Sequence, residues 1–200
     1  MKTLIYKDIE LFYFLNGLRT DLLDYVFAFL SHHISFLIAI IIATVFLTIR
    51  EFKIKFWIIL ALIGLSFIFA DRISVLCFKE VFERLRPSHA LEGVNLVKFD
   101  SWKLVFDNKG GQYGFVSSHA ANAFSLATIF FLLARKHTIF SIFIFIWAVL
   151  VSYSRIYCGV HYPGDILIGA LLGILIGYFI VFLYRLLARR FRFLSTNIDN

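Results

Sequence analysis

The sequence predicts an all-α membrane protein: a polytopic helical bundle of five to six spans with amphipathic N-terminal helices. Three observations carry that expectation. Of 200 residues, 60% are hydrophobic and only 16% are charged, with a mean hydropathy of +0.84. A soluble domain is nearer half apolar and a quarter charged. The apolar residues come in runs close to the ~20 residues that a helix needs to cross the hydrocarbon core. The cations sit mostly at the ends of those runs.

The elements follow in order. Residues 8–30 mix aromatic and aliphatic side chains with Asn16, Gly17, Arg19, Asp21 and Asp24. That mixture fits one or two amphipathic helices lying at the interface or packed on the bundle. A sixth span there is the alternative. Residues 34–49 form a short uninterrupted apolar run, and longer or comparable runs cover 54–78, 119–134, 138–153 and 165–187. The expected organisation is one domain over 1–200, with amphipathic helices at 1–33, the bundle at 34–187 and a basic cytoplasmic tail at 188–200. Lys7, Asp8 and Glu10 interrupt any signal-peptide core, so the first true span is expected to direct insertion. Cys77 and Cys158 are too few for a disulfide framework and read as small hydrophobes. There is no internal repeat and no low-complexity segment.

Charge then assigns sides. Arg50, Lys53 and Lys55 separate the first two spans, Arg135 and Lys136 separate the third and fourth, and Arg185, Arg189, Arg190 and Arg192 follow the fifth. Five spans put all three groups on one side, which the positive-inside rule makes cytoplasmic. The long 80–118 loop and the 154–164 connection then share the outer face. Polar residues far apart in sequence therefore converge there. The net charge of +7 reads as membrane orientation and contact with anionic headgroups. The clustered basic face that nucleic-acid binding needs is missing, so no nucleic-acid partner is expected.

Three stretches carry chemistry. In "KEVFERLRP", Lys79, Glu83 and Arg86 lie three or four apart, so a helix continuing out of the second span would stack them on one side until Pro87 ends it. Two such cations can snorkel to headgroups, or they can clamp an oxyanion, Arg86 through a planar fork and Lys79 as a point charge. In "GGQYGFVSSHAAN", three glycines precede an apolar helix that Ser117 or Ser118 can cap. The free N–H groups of that helix start favour an anion, and His119 stands beside them. In "SRIYCGVHYPGD", Pro163 suits the first helical turn, which leaves His161 just before the helix and Asp165 inside it. A carboxylate on one imidazole nitrogen fixes the tautomer and frees the other nitrogen to attack. Arg155 lies close by. Alone, each stretch has an ordinary interfacial explanation. Together, two helix starts, three cations, two histidines and a carboxylate are what phosphoryl transfer to histidine requires.

Lys79-x6-Arg86-Pro87, Ser117-Ser118-His119 and Ser154-Arg155-x5-His161-x3-Asp165 resemble, in order and spacing, the three signatures of the type 2 phosphatidic acid phosphatase (PAP2) superfamily. The resemblance spans Lys79 to Asp165. It implies a helical membrane bundle and a phosphatase that needs neither metal nor cofactor. It implies His161 as the nucleophile that forms a phosphohistidine, Asp165 as its orienting group, and His119 as general acid and then base. Lys79, Arg86, Ser117, Ser118 and Arg155 would bind phosphate. Two departures stand out. The family's usual Pro-Ser-Gly-His is here Val116-Ser117-Ser118-His119, which looks like a bacterial branch, and the usual six spans are here five plus N-terminal helices.

A site at headgroup depth on the outer face calls for a lipid phosphate as substrate, in a bacterial cytoplasmic (inner) membrane. Undecaprenyl diphosphate is the expected substrate, since its recycling needs outer-face dephosphorylation. Removal of the lipid A 1-phosphate is the first alternative, and phosphatidylglycerol phosphate and phosphatidic acid are the others. A lipid or anion transporter is the reading from another class. Transporters place charge near the midplane on broken helices, whereas these residues fall at span ends.

Overall fold

The computed structural model describes residues 2–50, 56–107, 109–134 and 136–190. Lys53, Lys55, Arg135, Arg192 and the tail beyond residue 190 lie outside them. Helices α1 (Lys2–Asn16), α2 (Asp21–Leu30), α3 (His33–Arg50) and α4 (Phe56–Ile73) come first. A π-helical turn (Ser74–Lys79) and the short α5 (Glu80–Phe82) extend α4. The long loop before α7 holds α6 (Pro87–Ala90) and an antiparallel hairpin, β1 (Lys98–Asp100) with β2 (Lys103–Val105). Helices α7 (Ser118–Leu133), α8 (Thr138–Tyr157) and α9 (Pro163–Arg190) complete the bundle.

Helical stretches Phe56–Phe82, Thr138–Tyr157 and Pro163–Arg190 are long and apolar enough to cross a membrane. The pair α2 and α3 meets the same test only jointly, and it bends by 62° at the break between them. The sequence reading kept these two apart, with α2 amphipathic and α3 a span. The break at Ser31 and His32 is held by the Ser35 hydroxyl, which donates to Leu30 O at 2.7 Å. Helix α7 is 16 residues long, about 24 Å at 1.5 Å per residue.

Helix α7 is the hub. Most of its side chains are buried, including Ala120, Ala123, Leu126, Ala127, Ile129 and Phe130. A helix apolar on every side belongs in the middle of a bundle. It packs between α4, α8 and α9. The outward faces of α8 (Ile139, Ile142, Phe143, Ile146) and α9 (Leu167, Leu171, Leu175, Phe182) are exposed and apolar, as contact with lipid tails requires.

Glycine spacing sets the α7–α9 distance. Gly169, Gly173 and Gly177 recur every four residues and so form one stripe. A methyl on Gly173 would fall 2.2 Å from Ala121 O, and one on Gly169 would fall 2.6 Å from Ser117 O. Without side chains there, the two backbones touch. Because lipid supplies no hydrophobic drive between spans, this close packing is a main source of α7–α9 association. Gly173→Ala should therefore force the helices apart and cost about 1–3 kcal/mol, read as a lower melting temperature in detergent. An unchanged melt would remove the stripe from the account.

The N-terminal helices dock where α8 ends and α9 begins. Phe12 is fully buried, while Leu4, Tyr6 and Phe14 are exposed. The Asn16 amide donates to Asn95 O (3.0 Å), Ile156 O (3.1 Å) and Tyr157 O (2.9 Å). Thr20 caps α2, and Asp24 accepts from Arg19 (2.8 Å) and from the Tyr157 hydroxyl (2.6 Å).

Candidate active site

The site is built where three chain segments end. Helix α4 runs into the π-helical turn, whose wider winding re-aims the residues after it. Lys79 Nζ thereby lands 2.8 Å from Ser118 Oγ and donates to it. The chain then leaves the helix sooner than the sequence pattern suggests. Glu83 adopts a left-handed conformation (φ 44°) and Arg86 is extended before Pro87. Lys79, Glu83 and Arg86 thus do not share one helical face, and Glu83 is exposed. Pro87 disfavours helix at Arg86, and the segment pairs instead with the glycine loop. Arg86 N donates to Gln112 O (3.1 Å), and Gly114 N donates to Arg84 O (2.9 Å).

That pairing lays Arg86 against bare backbone. Its Nε donates to Tyr113 O at 3.1 Å. A methyl on Gly110 would lie 2.8 Å from Arg86 Nη1, and one on Gly114 would lie 3.0 Å from Arg86 Cγ and 3.2 Å from Asp165 Oδ2. The glycines of the loop make room for this guanidinium.

Helix α7 opens on Ser117, whose Oγ accepts from Ala120 N at 3.4 Å as the cap. Ser117 N donates to Asp165 O at 3.1 Å, which ties the starts of α7 and α9 together. Ser118 is the first helical residue. His119 follows in the first turn, its ring edge-on to Phe36 at 5.6 Å. It lies within electrostatic reach of Arg155, His161, Arg86 and Lys79.

Arg155 occupies the last turn of α8 and bonds the Ser31 hydroxyl at the α2–α3 corner, while its Nε has no partner. Gly159 then turns the chain with φ +77°, and a methyl there would strike Leu96 and Asn95 O at 2.6 and 2.7 Å. Only glycine fits that conformation at that approach. The turn delivers His161, 2% exposed, just before Pro163 starts α9.

Asp165 is fully buried in the first turn of α9. Its Oδ2 accepts from Tyr162 N (3.0 Å), and its Oδ1 accepts from Arg84 Nη1 (2.7 Å). The same Oδ2 lies 3.5 Å from His161 Nδ1, which has no hydrogen-bond partner. The pairing expected from the sequence is present as proximity, not as a formed hydrogen bond. Burial holds His161 well below the ordinary imidazole range, and Arg86, Arg155 and Lys79 press it further down, with the Gly114 carbonyl opposing. The ring is neutral at neutral pH.

The structure therefore gathers Lys79, Arg86, Ser117, Ser118, His119, Arg155, His161 and Asp165 at one end of the bundle. It adds three residues that sequence reasoning missed. Arg84 bridges Asp165 to Asp8 Oδ2 at 2.7 Å, and Ser31 holds Arg155. Arg84 carried one faint signal. With Pro87 favouring extended backbone, residues 84 and 86 fall on the same side of a strand. Asp8 and Ser31 carried none.

Comparison with known proteins shows the family. The sequence model of the PAP2 superfamily matches residues 57–191. The chain is 34% identical over 190 residues to a lipid A 4′-phosphatase of Porphyromonas gingivalis, covering 92% of this chain and 76% of the relative. It is 32% identical over 185 residues to a lipid A 4′-phosphatase of Bacteroides thetaiotaomicron, covering 92% and 79%. Among solved structures it resembles Aquifex aeolicus LpxE, with a TM-score of 0.61, 29% identity, and coverage of 86% of this chain and 93% of that one. Apolar spans, a cationic site at the helix ends and these matches lead to one conclusion: the chain belongs to the PAP2 superfamily and is a multi-pass membrane lipid phosphatase.

Proposed function

We propose that the protein hydrolyses the phosphate of a lipid A-type headgroup at the outer face of a bacterial inner membrane, through a phosphohistidine on His161. One observation carries the reading. Ser117 N–H···O=C Asp165 joins the starts of α7 and α9, so His119 and the His161–Asp165 pair stand at one anion-favouring corner ringed by Lys79, Arg86 and Arg155. The expectation of undecaprenyl diphosphate rests on physiology and not on any residue of the site. Two relatives named as lipid A 4′-phosphatases favour lipid A.

The chemistry follows from the atoms. Lys79, Arg86 and Arg155 hold the phosphoryl oxygens, and the first-turn N–H groups of α7, which lack helical partners, add donors. Ser117 Oγ accepts a backbone N–H as cap, so its proton remains free for a phosphate oxygen. Neutral His161 attacks phosphorus with Nε2, and a P–N bond forms as the P–O ester bond breaks. His119 protonates the departing oxygen. The 3.5 Å gap from Nδ1 to Asp165 closes as positive charge grows on the ring, as catalytic hydrogen bonds tighten on the way to the transition state. His119, now neutral, removes a proton from water, which attacks phosphorus and breaks the P–N bond. No step calls on a metal, and activity should survive EDTA.

Two results are expected from this scheme. His119→Ala should slow the first step, transfer of phosphate from a lipid ester to His161, by about 10²–10⁴-fold, the usual weight of general acid catalysis, and slow the leaving-group burst from an activated aryl phosphate far less. Equal losses on both would exclude His119 as the acid. The second concerns pH. His161 works as the neutral base, so kcat/KM falls where it protonates, below the usual imidazole range. Lys79→Ala removes a positive charge that depresses it. The acidic limb should then move to higher pH, and a limb moving lower would contradict the assignment.

The test of substrate class is a hydrolysis panel in detergent: lipid A, undecaprenyl diphosphate, phosphatidylglycerol phosphate and phosphatidic acid, with phosphate release measured for each. Preferential release from lipid A supports the proposal. Preference for another lipid overturns the substrate, and release from none overturns the enzyme in favour of a transporter.

A further inference from the structure

The geometry points to Asp8, on the N-terminal helix α1, as a positioning residue that acts on His161 through Arg84 and Asp165. The chain of contacts is continuous. Asp8 Oδ2 accepts from Arg84 Nη2 at 2.7 Å, and Arg84 Nη1 donates to Asp165 Oδ1 at 2.7 Å. Asp165 Oδ2 faces His161 Nδ1. The other Asp8 oxygen accepts from Gly164 N at 2.8 Å, within the first turn of α9. A methyl on Gly164 would fall 3.0 Å from Asp8 Oδ2, so the carboxylate sits tight against this turn. The Arg84 guanidinium lies over the Tyr162 ring at 4.0 Å, which fixes the plane of its fork.

Charge explains why a second carboxylate is useful. Asp165 is buried, and an unpaired buried carboxylate takes up a proton. Arg84 keeps it ionised. Paired with Asp165 alone, Arg84 would also cancel the charge that the developing imidazolium of His161 needs. Asp8 shares Arg84, so the three groups together carry one net negative charge beside the ring. Its surroundings are otherwise cationic: Lys79 from the π-helical turn, Arg86 from the loop and Arg155 from α8, with His119 facing it from α7. The residual negative charge has no other source among the groups named. The N-terminal helix is thereby part of the catalytic apparatus, not only an interfacial anchor.

This inference rests on the phosphohistidine reading. Asp8→Asn keeps an acceptor for Gly164 N and removes one charge. Its kcat on lipid A should fall about tenfold, the factor that one pKa unit represents, with KM within about twofold. The acidic limb of kcat/KM should move to lower pH, because less negative charge faces His161. Asp8→Glu should keep the limb at the wild-type position. Tyr13→Phe removes another α1 contact, the hydroxyl bond to Glu92 O at 2.9 Å, and should change neither kcat nor the limb. An unmoved limb in Asp8→Asn, or the same losses in Tyr13→Phe, overturns the proposal. Active wild type with unaltered Asp8→Asn sinks only this inference. Wild type that releases no phosphate from any lipid sinks both.

Discussion

His161→Ala is expected to lower lipid phosphate hydrolysis by about 10⁴-fold or more, the scale seen when a covalent nucleophile is removed. Among the described residues the other imidazole of the corner, His119, serves the departing oxygen and does not replace it. The surrounding Lys79, Arg86 and Arg155 are cations, and Asp165 is occupied by Arg84 and Tyr162 N. The loss should leave the fold intact, since the turn that carries His161 is set by Gly159 and Pro163. The phosphate cradle also survives, so a lipid phosphate should still bind and protect the variant against heat. A variant that keeps even a hundredth of wild-type turnover would place the nucleophile elsewhere.

Asp165→Asn is expected to cost about 10²–10⁴-fold in kcat, as when a carboxylate that orients a catalytic imidazole becomes an amide. The structure adds a second consequence. Both Asp165 oxygens accept: Oδ1 from Arg84 and Oδ2 from Tyr162 N. An amide has one acceptor and one donor group, so its NH₂ must face either the Arg84 guanidinium or the Tyr162 N–H. A buried donor left opposite another donor costs about 1–3 kcal/mol. The variant should therefore melt lower than wild type, besides turning over slowly. Full activity would remove Asp165 from the mechanism, and slow turnover at an unchanged melting temperature would remove the two-acceptor account.

Much of this site was legible because the chemistry follows local rules. Ser117 capping α7, Pro163 opening α9 and Asp165 within the first turn are short-range features, and the structure has each one. The long apolar runs at 138–153 and 165–187 mark helices by composition alone, and the helices there extend beyond both runs. What escaped depends on pairings across the chain. Asp8 and Arg84 stand 76 positions apart, and each alone reads as an interfacial charge. The hairpin at 98–105 turns through Ser101 and Trp102, both with positive φ. Asparagine and glycine normally announce such a turn, and neither stands at these two positions. The π-helical turn at Ser74–Lys79 has no residue signature, and neither has the α2–α3 bend, where Ser31 and His32 sit between two apolar stretches. The single face drawn through Lys79, Glu83 and Arg86 failed for a local reason: the helix stops at Phe82 and Glu83 turns left-handed.

The most direct measurement is covalent trapping. Enzyme turning over lipid A labelled with radioactive phosphate should be quenched in alkaline detergent, which preserves phosphohistidine, and then digested. The label should sit on the peptide containing His161 and should be lost in acid; in His119→Ala given a labelled activated aryl phosphate, which needs no acid to react, it should accumulate because water attack is slowed. Steady release of phosphate with no label on the protein, in wild type and in His119→Ala alike, would contradict the account.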